Sequence, residues 1–350
     1  MNTSEVPPGM EPIPAKPLRR RIPRWLILLL TYAISIGSLL WALRGYDFSQ
    51  IRSAVLSVKW AWVLVAIVLD LAVYVLQAWR WQTLLRPVER LGLWETTHAI
   101  FIGLFASGVL PLRPGELIRC YLVAVWGEIP ISLTLTSAAI ERVLDGIFLV
   151  LAFWICTWFV NMPREWLDFV QVLAALVLIL TVLFAYLLFH RRHAHRFLSG
   201  RSWGRRFLHV LDQIHQMGDW RTLASASGIT FLYWFLQALS VWALFLSYDM
   251  DLSVWHAWTV MLIKSIGTAI PSAPGNVGVF QIAVKEALTK LFSVEQNVAV
   301  ELSLLMWVVM TLPLLIAGLV AVFLTGSSLR EIHHHAHHRP AQSQILNPRS

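Results

Sequence analysis

The sequence predicts an all-α integral membrane protein that crosses the bilayer several times. Of its 350 residues 57% are hydrophobic and 14% are charged, whereas about a quarter of the residues in a soluble domain are charged. The apolar residues form long runs, unlike the alternating strands of a transmembrane β-barrel. Two Pro-Gly sequences, at 110–116 and 270–276, interrupt these runs. The three observations predict a polytopic protein with about six full spans plus two re-entrant helical hairpins, eight membrane segments in all.

The amino-terminal region precedes the first span. Residues 1–23 carry six prolines and a run of three arginines, a composition typical of a disordered basic leader. The uncharged run at 25–43 is long enough to cross the bilayer. No cleavage site of small residues follows it, so we expect a retained helix rather than a signal peptide.

The second span contains an unusual charge. Residues 60–79 are apolar except around Asp70, which shares a helix face with Tyr74 and Gln77 through their i, i+4 and i+7 spacing. Residues 80–90 contain several arginines, and we expect them to form a short basic loop on one side of the membrane.

The first Pro-Gly break lies between two apolar arms of unequal length. The arms are residues 96–110 and 117–126, and the second is too short to cross the bilayer comfortably. They therefore predict a re-entrant hairpin, which enters and leaves on one side. A long, tilted span at 131–160 follows.

The second half of the chain repeats this order. Residues 169–189, 223–246 and 298–324 are long enough to be full spans. Residues 255–270 and 277–291 flank the second Pro-Gly break and predict the second hairpin.

The tail at 327–350 holds five histidines between positions 333 and 338. Such exposed clusters more often chelate metal weakly than hold a specific ion, so we predict no metal site. The domain organisation is then a leader at 1–23, a single transmembrane domain at 24–326 and a His-rich cytoplasmic tail.

The basic loops predict the orientation. The leader, residues 80–90 and residues 190–222 are rich in arginine, whereas residues 161–168 and 247–253 carry more acidic than basic groups. Basic loops stay on the cytoplasmic side, so both termini are cytoplasmic. The first hairpin then enters from the cytoplasm and the second from outside. The same loops account for the net charge of +8, so no nucleic-acid partner is predicted.

An offset of 160 residues relates the two breaks and other features. Leu-Gln-Ala at 76–78 recurs at 236–238, and Glu141 recurs as Glu301. With the orientation above, the halves run in opposite directions, which predicts the inverted repeat found in many transporters. The alternative is coincidental Pro-Gly punctuation in an apolar chain. The predicted halves are about 58–160 and 223–325.

The candidate binding residues cluster at the breaks. A helix that restarts at Gly115 or Gly275 presents unpaired N–H groups that favour an anion. Arg113, Glu116 and Arg119 share one face of the first hairpin by their i+3 spacing. Because guanidinium groups bind phosphate oxygens in pairs, we expect a clamp for a headgroup phosphate. The alternative is an Arg–Glu–Arg network that only neutralises itself.

A second charged cluster lies in the long span. Glu141 and Asp145 are one helical turn apart, and Arg142 can pair with Asp145. The remaining acid is then able to pair with Arg113 or Arg119, or to titrate. The alternative is a buried ion pair with a structural role.

Further candidates are single polar groups in apolar surroundings. Asn276 and Gln281 are candidates for substrate binding on the return arm of the second hairpin. Intramembrane charges are rare and costly, so each is a functional candidate. Those for coupling or pairing are Asp70, Lys264 and Glu301, with Lys264 able to pair with either acid.

The chain contains no phosphate-binding loop, dinucleotide fingerprint, metalloprotease motif or credible catalytic triad. We therefore predict no catalytic residues and no cofactor, and a protein that is not an enzyme.

Three stretches resemble one known family. They are L-P-L-R-P-G-E-L-I-R at 110–119, E-R-V-L-D at 141–145 and P-S-A-P-G-N-V-G-V-F-Q at 271–281. They are similar to the flippase-like membrane proteins, uncharacterised UPF0104-type proteins related to the transmembrane region of lysylphosphatidylglycerol synthases, over roughly residues 25–325. The family commonly has Glu where this chain has Gln281 and a second Gly where it has Asn276.

The resemblance implies movement of an anionic phospholipid or lipid-linked molecule between leaflets, with membrane lipids as partners. It places the protein in the bacterial cell (inner) membrane. The alternative is a non-transporting partner or scaffold of a lipid- or hopanoid-type biosynthetic enzyme.

Overall fold

The computed structural model describes residues 24–50, 55–110, 114–189, 219–268 and 274–337, and in these ranges every regular element is helical. Two 3-10 turns, Phe48–Gln50 and Pro274–Asn276, accompany the α-helices. The α-helices are α1 (Arg24–Ala42), α2 (Trp60–Leu85), α3 (Leu93–Val109), α4 (Gly115–Trp126), α5 (Ile131–Cys156), α6 (Arg164–Phe189), α7 (Trp220–Ser247), α8 (Val254–Gly267), α9 (Val279–Phe292) and α10 (Gln296–His337).

Within the described ranges, three helices are long and apolar enough to cross a membrane: α2, α7 and the part of α10 at Gln296–Thr325. Their outer faces carry large exposed apolar side chains such as Leu64, Phe231 and Phe323, which lipid covers without cost. The prediction of an all-helical, multi-pass membrane protein is confirmed at this level.

Helices α2 and α7 pack against each other as the central pair, and they run antiparallel. The backbone N–H of Lys59, just before α2, donates to the carbonyl of Ser247 at the end of α7 at 2.9 Å. Farther along, the hydroxyl of Ser240 donates to the carbonyl of Ala66 at 2.9 Å. Side chains of α2, α7, α8, α9 and α10 form the main buried cluster around this pair.

The short helices form two pairs that open at opposite ends of the α2–α7 pair. Gly127, just after α4, packs against Leu91, just before α3, and Gln82 near the end of α2 donates to the Leu91 carbonyl at 2.7 Å. In the other pair, the rings of His256 in α8 and Phe292 at the end of α9 lie 4.7 Å apart. That end adjoins the carboxyl end of α7, so the two pairs enter the molecule from opposite directions.

Glycine allows the first pair to pack closely. A Cβ on Gly103 of α3 would lie 2.7 Å from the carbonyl oxygen of Gly115, the first residue of α4, and one on Gly115 would overlap the carbonyl oxygen of Gly103. The two backbones therefore touch where α4 begins.

One predicted boundary is wrong. Arg80 does not lie in a loop: α2 continues to Leu85, and the Arg80 side chain is 1% exposed. The charge does not end the span because acidic groups of α5 neutralise it inside the protein. The predicted last span at 298–324 agrees with the apolar stretch Gln296–Thr325 of α10, and the helix itself continues to His337, so part of the histidine cluster lies on helical backbone. Residues 1–23, most of the loop at 190–222 and residues 338–350 lie outside the described ranges.

Candidate functional site

A cavity of about 590 Å³ lies between the two Pro-Gly breaks. Its volume falls within the range of about 300–1,000 Å³ typical of small-molecule sites. Both halves of the chain contribute to its wall, and α3, α5, α7, α8 and α10 all reach it. Its main polar wall residues are Tyr74, Glu116, Arg142, Gln237, Lys264 and Asn276.

Glu141 is the centre of a buried ion network beside this cavity. Its fully buried carboxylate accepts hydrogen bonds from Arg80 at 3.2 Å and from Arg119 at 2.8 Å. Arg80 also pairs with Asp145, and the Arg119 guanidinium lies 4.6 Å from the centre of the Trp81 ring. Both arginines are buried, and each guanidinium pairs with two carboxylates of the protein. For Arg119 the geometry therefore favours the self-neutralising alternative over direct contact with a ligand.

Arg142 is the arginine of this network that faces the cavity. Its side chain is 58% exposed, and Glu116, which also faces the cavity, is 52% exposed. The Arg142 guanidinium lies 3.4 Å from Asp145 and 3.7 Å from Glu116. Arg142 lines the cavity and is more than half exposed, so its guanidinium is accessible to an anion there.

Glu141, the acid that remains once Arg142 pairs with Asp145, is shared between Arg80 and Arg119. Arg142 pairs with Asp145 as predicted, and Glu141 pairs with Arg119, one of its two predicted partners. The three arginines and three acids of the network cancel in charge. Its members are Arg80, Arg119, Arg142, Glu116, Glu141 and Asp145.

The second half of the chain also places a cation at the cavity. Lys264 of α8 lines it and interacts electrostatically with Asp70 of α2. The Asp70 side chain is hydrogen-bonded to Gln237 of α7. Of the two partners that the sequence allowed for Lys264, the structure selects Asp70.

Glu301 lies away from this site. Its carboxylate accepts a hydrogen bond from the hydroxyl of Tyr46 at 3.2 Å, in the connection between α1 and α2. It does not line the cavity. The repeated glutamates at 141 and 301 therefore have different surroundings, one buried among arginines and one hydrogen-bonded to a tyrosine near the start of α10.

The second break places two of its predicted residues at the cavity. Gly275 and Asn276 both adopt positive φ values, 68° and 57°, and both line it. The indole N–H of Trp307 in α10 donates to the Gly275 carbonyl at 2.7 Å and so fixes the turn. Gln281 instead caps α9, because its side-chain oxygen accepts the Gly278 backbone N–H at 2.6 Å.

At the first break, Gly115 packs against α3 rather than facing open space. Arg113 lies outside the described residues, as do Pro111 and Pro271.

Sequence reasoning missed two members of the site. The prediction of a basic loop at 80–90 places Arg80 outside the helix, although no helix breaker separates it from Asp70 and Pro87 is the first proline that follows. Tyr233 of α7 donates to Asp145, and its ring lies 5.0 Å from the Arg80 guanidinium carbon. The surplus of acids over arginines in α5 was the available signal for a missing cation.

Comparison with known proteins gives two matches. A family model described as the lysylphosphatidylglycerol synthase TM region matches residues 28–318, which include both breaks and the charged cluster of α5. The chain is also similar to a UPF0104 membrane protein of Methanocaldococcus jannaschii, with 25% identity over 185 residues, covering 52% of this chain and 77% of that protein. No solved structure matches the chain.

Proposed function

The chain belongs to the lysylphosphatidylglycerol synthase transmembrane-region family, and from that premise we propose that it moves an anionic phospholipid or lipid-linked molecule between the leaflets of the membrane. The observation that carries the proposal is the cavity between the two breaks, whose wall includes Arg142 and Lys264 from different halves of the chain. Both are cations, and the rest of the wall combines apolar side chains with the polar groups of Tyr74, Glu116, Gln237 and Asn276. A phosphate is the common anion of membrane lipids, and guanidinium and ammonium groups are its usual partners.

The proposed placement in the membrane uses six full spans and two re-entrant hairpins. At 1.5 Å per residue, the 12-residue helix α4 is about 18 Å long, and α8 and α9, with 14 residues each, are about 21 Å long. The hydrocarbon core is about 30 Å thick. The short pairs therefore suit segments that enter part of the way and return, bringing both breaks to the middle of the bilayer.

An inverted repeat agrees with the helix positions. Trp60 begins α2, and Trp220, which is 160 residues later, begins α7. Helix α3 begins at Leu93, and α8 begins within one residue of the same offset. Because α2 and α7 are equivalent under this offset and antiparallel, the two halves have opposite directions. Under this offset α3 corresponds to α8 and α5 corresponds to α10, so a contact between α3 and α10 has its counterpart in a contact between α5 and α8. Both contacts are present.

The mechanism we propose separates the two parts of a lipid. The phosphate enters the cavity and binds Arg142 and Lys264, while the acyl chains stay in the surrounding hydrocarbon. Burial of an unpaired charge in hydrocarbon is costly. The cavity lowers this cost because its cations replace the water that the phosphate loses.

Translocation is the direct test of the proposal. Purified protein is reconstituted into vesicles containing fluorescent phosphatidylglycerol, and the rate at which an impermeant quencher gains access to the label is measured. We expect Arg142→Ala to reduce the rate about tenfold, since a charge-assisted hydrogen bond contributes about 1.5–3 kcal/mol. Lys290→Ala is the matched control, because Lys290 is 69% exposed and pairs with Glu286 away from the cavity.

Equal rates for Arg142→Ala and the native protein would contradict the proposed site. Native vesicles that flip no faster than protein-free vesicles would contradict transport itself, and a lipid-synthesis enzyme that co-purifies in detergent would then favour the scaffold role. Mass spectrometry of the same lipids checks that none is chemically changed, as we expect for a protein that is not an enzyme.

The re-entrant placement is tested by labelling single cysteines with an impermeant maleimide in a background with Cys120 and Cys156 replaced by serine. Arg90→Cys and Ile131→Cys flank the first short pair, and Asp251→Cys and Glu295→Cys flank the second. We expect the first two to react from the cytoplasmic side and the last two from the outside. Reaction of Arg90→Cys and Ile131→Cys from different sides would mean that the first pair crosses fully.

A further inference from the structure

Asp70 is a buried carboxylate that the proposed binding of a headgroup does not use. The residue is 1% exposed, and its oxygen Oδ1 has no hydrogen-bond partner in the structure. Its side chain is hydrogen-bonded to Gln237, and it interacts electrostatically with Lys264. A buried carboxylate is tolerated only while a cation compensates it or a proton neutralises it. Lys264 is that cation, and it is also a wall residue of the cavity.

We propose that Asp70 takes up one proton when an anionic headgroup binds in the cavity, because the phosphate draws Lys264 away from it. This inference rests on the proposed function and identifies what accompanies the lipid. Lys264 has one ammonium group and two competing anions, the Asp70 carboxylate on one side and the ligand phosphate on the other. When the phosphate takes the ammonium, Asp70 loses its counter-ion, and a proton from solvent binds the carboxylate.

The charges of the site balance in both states. In the empty protein, the negative charge of Asp70 and the positive charge of Lys264 cancel. In the loaded protein, Asp70 is neutral and the positive charge of Lys264 cancels the single negative charge of a phosphodiester. Neither state buries net charge, which is the condition that hydrocarbon imposes. A position for the proton is also present, because the oxygen Oδ1 of Asp70 has no hydrogen-bond partner.

The other ionisable groups around Asp70 do not supply an alternative counter-ion. On its own helix, Tyr74 faces Asp70 and is neutral as a phenol. From α7 the facing polar group is Gln237, and from α8 it is Lys264. In the described parts of the packed helices α3, α5 and α10, no charged group interacts with Asp70. The charged groups of α5 pair instead with Arg80, Arg119 and Arg142.

A linked proton gives the affinity a definite pH dependence. If the loaded protein holds one more proton than the empty protein, the dissociation constant rises by up to tenfold for each unit of pH. The slope reaches this value where Asp70 is ionised in the empty state and protonated in the loaded state. Binding of an anionic lipid therefore weakens as the pH rises.

Calorimetry measures the proton directly. Dihexanoyl phosphatidylglycerol is titrated into the purified full-length protein in two buffers that differ in ionisation enthalpy. The difference between the observed enthalpies gives the number of protons taken up. We expect close to one proton for each lipid bound by the native protein and by Lys290→Ala, and none for Asp70→Asn. Because the asparagine variant leaves Lys264 unpaired, it should bind the lipid at least as tightly, with little change between pH 6 and pH 8.

The outcomes separate the linkage from the proposed function. Native protein that binds the lipid without proton uptake overturns the linkage and leaves the proposed function standing. One proton taken up by Asp70→Asn overturns it as well, because another group then receives the proton. If Asp70→Asn fails to fold, Lys264→Gln tests the same pair: we expect about tenfold weaker binding and no uptake. No binding to the native protein overturns both proposals. Equal binding of glycerol 3-phosphate identifies a soluble phosphate as the ligand and leaves the linkage intact.

Discussion

Replacement of Glu141 by alanine is expected to destabilise the protein by about 3–5 kcal/mol, the usual cost of removing one partner from a buried ion pair. Glu141 is fully buried and accepts hydrogen bonds from Arg80 and Arg119, which are themselves almost inaccessible. After the substitution the three guanidinium groups of the network share the charges of Asp145 and Glu116 alone, so one positive charge is left uncompensated. Arg80 and Arg119, whose side chains are 1% and 7% exposed, are too buried for water to replace the lost carboxylate.

The measurement is the free energy of unfolding in mixed detergent micelles, with size-exclusion profiles as a check on folding. Glu301→Ala is the matched control, because Glu301 occupies the corresponding position 160 residues later and is bonded to Tyr46. We expect this control to lose about 1 kcal/mol, the net contribution of one hydrogen bond. Similar losses for the two glutamates would mean that the network around Glu141 does not hold α2, α4 and α5 together.

Replacement of Gly115 by valine is expected to separate α3 from α4. A Cβ on Gly115 would overlap the carbonyl oxygen of Gly103 and the hydroxyl of Ser107, so backbone rather than a flexible side chain must move. Overpacking a core costs about 1–3 kcal/mol and occasionally more, and a clash with backbone belongs at the upper end. We expect a lower yield of monodisperse protein and loss of translocation.

The control for this prediction is Gly228→Val in α7, where an added Cβ has no neighbour within 4 Å. Both substitutions place a β-branched residue in a helix, so they share the intrinsic cost of valine. Thermal unfolding followed by tryptophan fluorescence compares them. If both variants unfold at the native temperature, α3 and α4 are not in contact at these glycines.

Much of the architecture could be predicted from the sequence because it depends on local composition. Long apolar runs identify the spans, and Pro-Gly sequences identify the breaks in α3–α4 and α8–α9. The predicted family is confirmed by the match over residues 28–318. The same reasoning correctly paired Arg142 with Asp145, since they are three residues apart on one helix.

The remaining features depend on partners that are distant in the sequence. Whether α2 ends at Arg80 depends on Glu141 and Asp145 of α5. No local sequence pattern shows that these two acids lie beside Arg80. In the same way, the sequence left both Asp70 and Glu301 open to Lys264, and only the packing of α2 against its neighbours selects Asp70. Gln281 is different: its position three residues after Gly278 is the spacing of a helix cap, so its role had a local signal.

The charge pattern of the two halves has a consequence for the proposed transport cycle. In the proposed inverted repeat, the positions that correspond to Arg80, Arg119 and Asp145 are Ser240, Val279 and Leu305. If the two halves exchanged conformations, the openings formed on the two faces of the membrane would therefore be lined by chemically different residues. Two such states differ in free energy, and a difference of about 1.4 kcal/mol already makes one of them tenfold more populated. If the protein transports lipid as proposed, we expect it to have one preferred resting state, with its ligand-free cavity open mainly to a single leaflet.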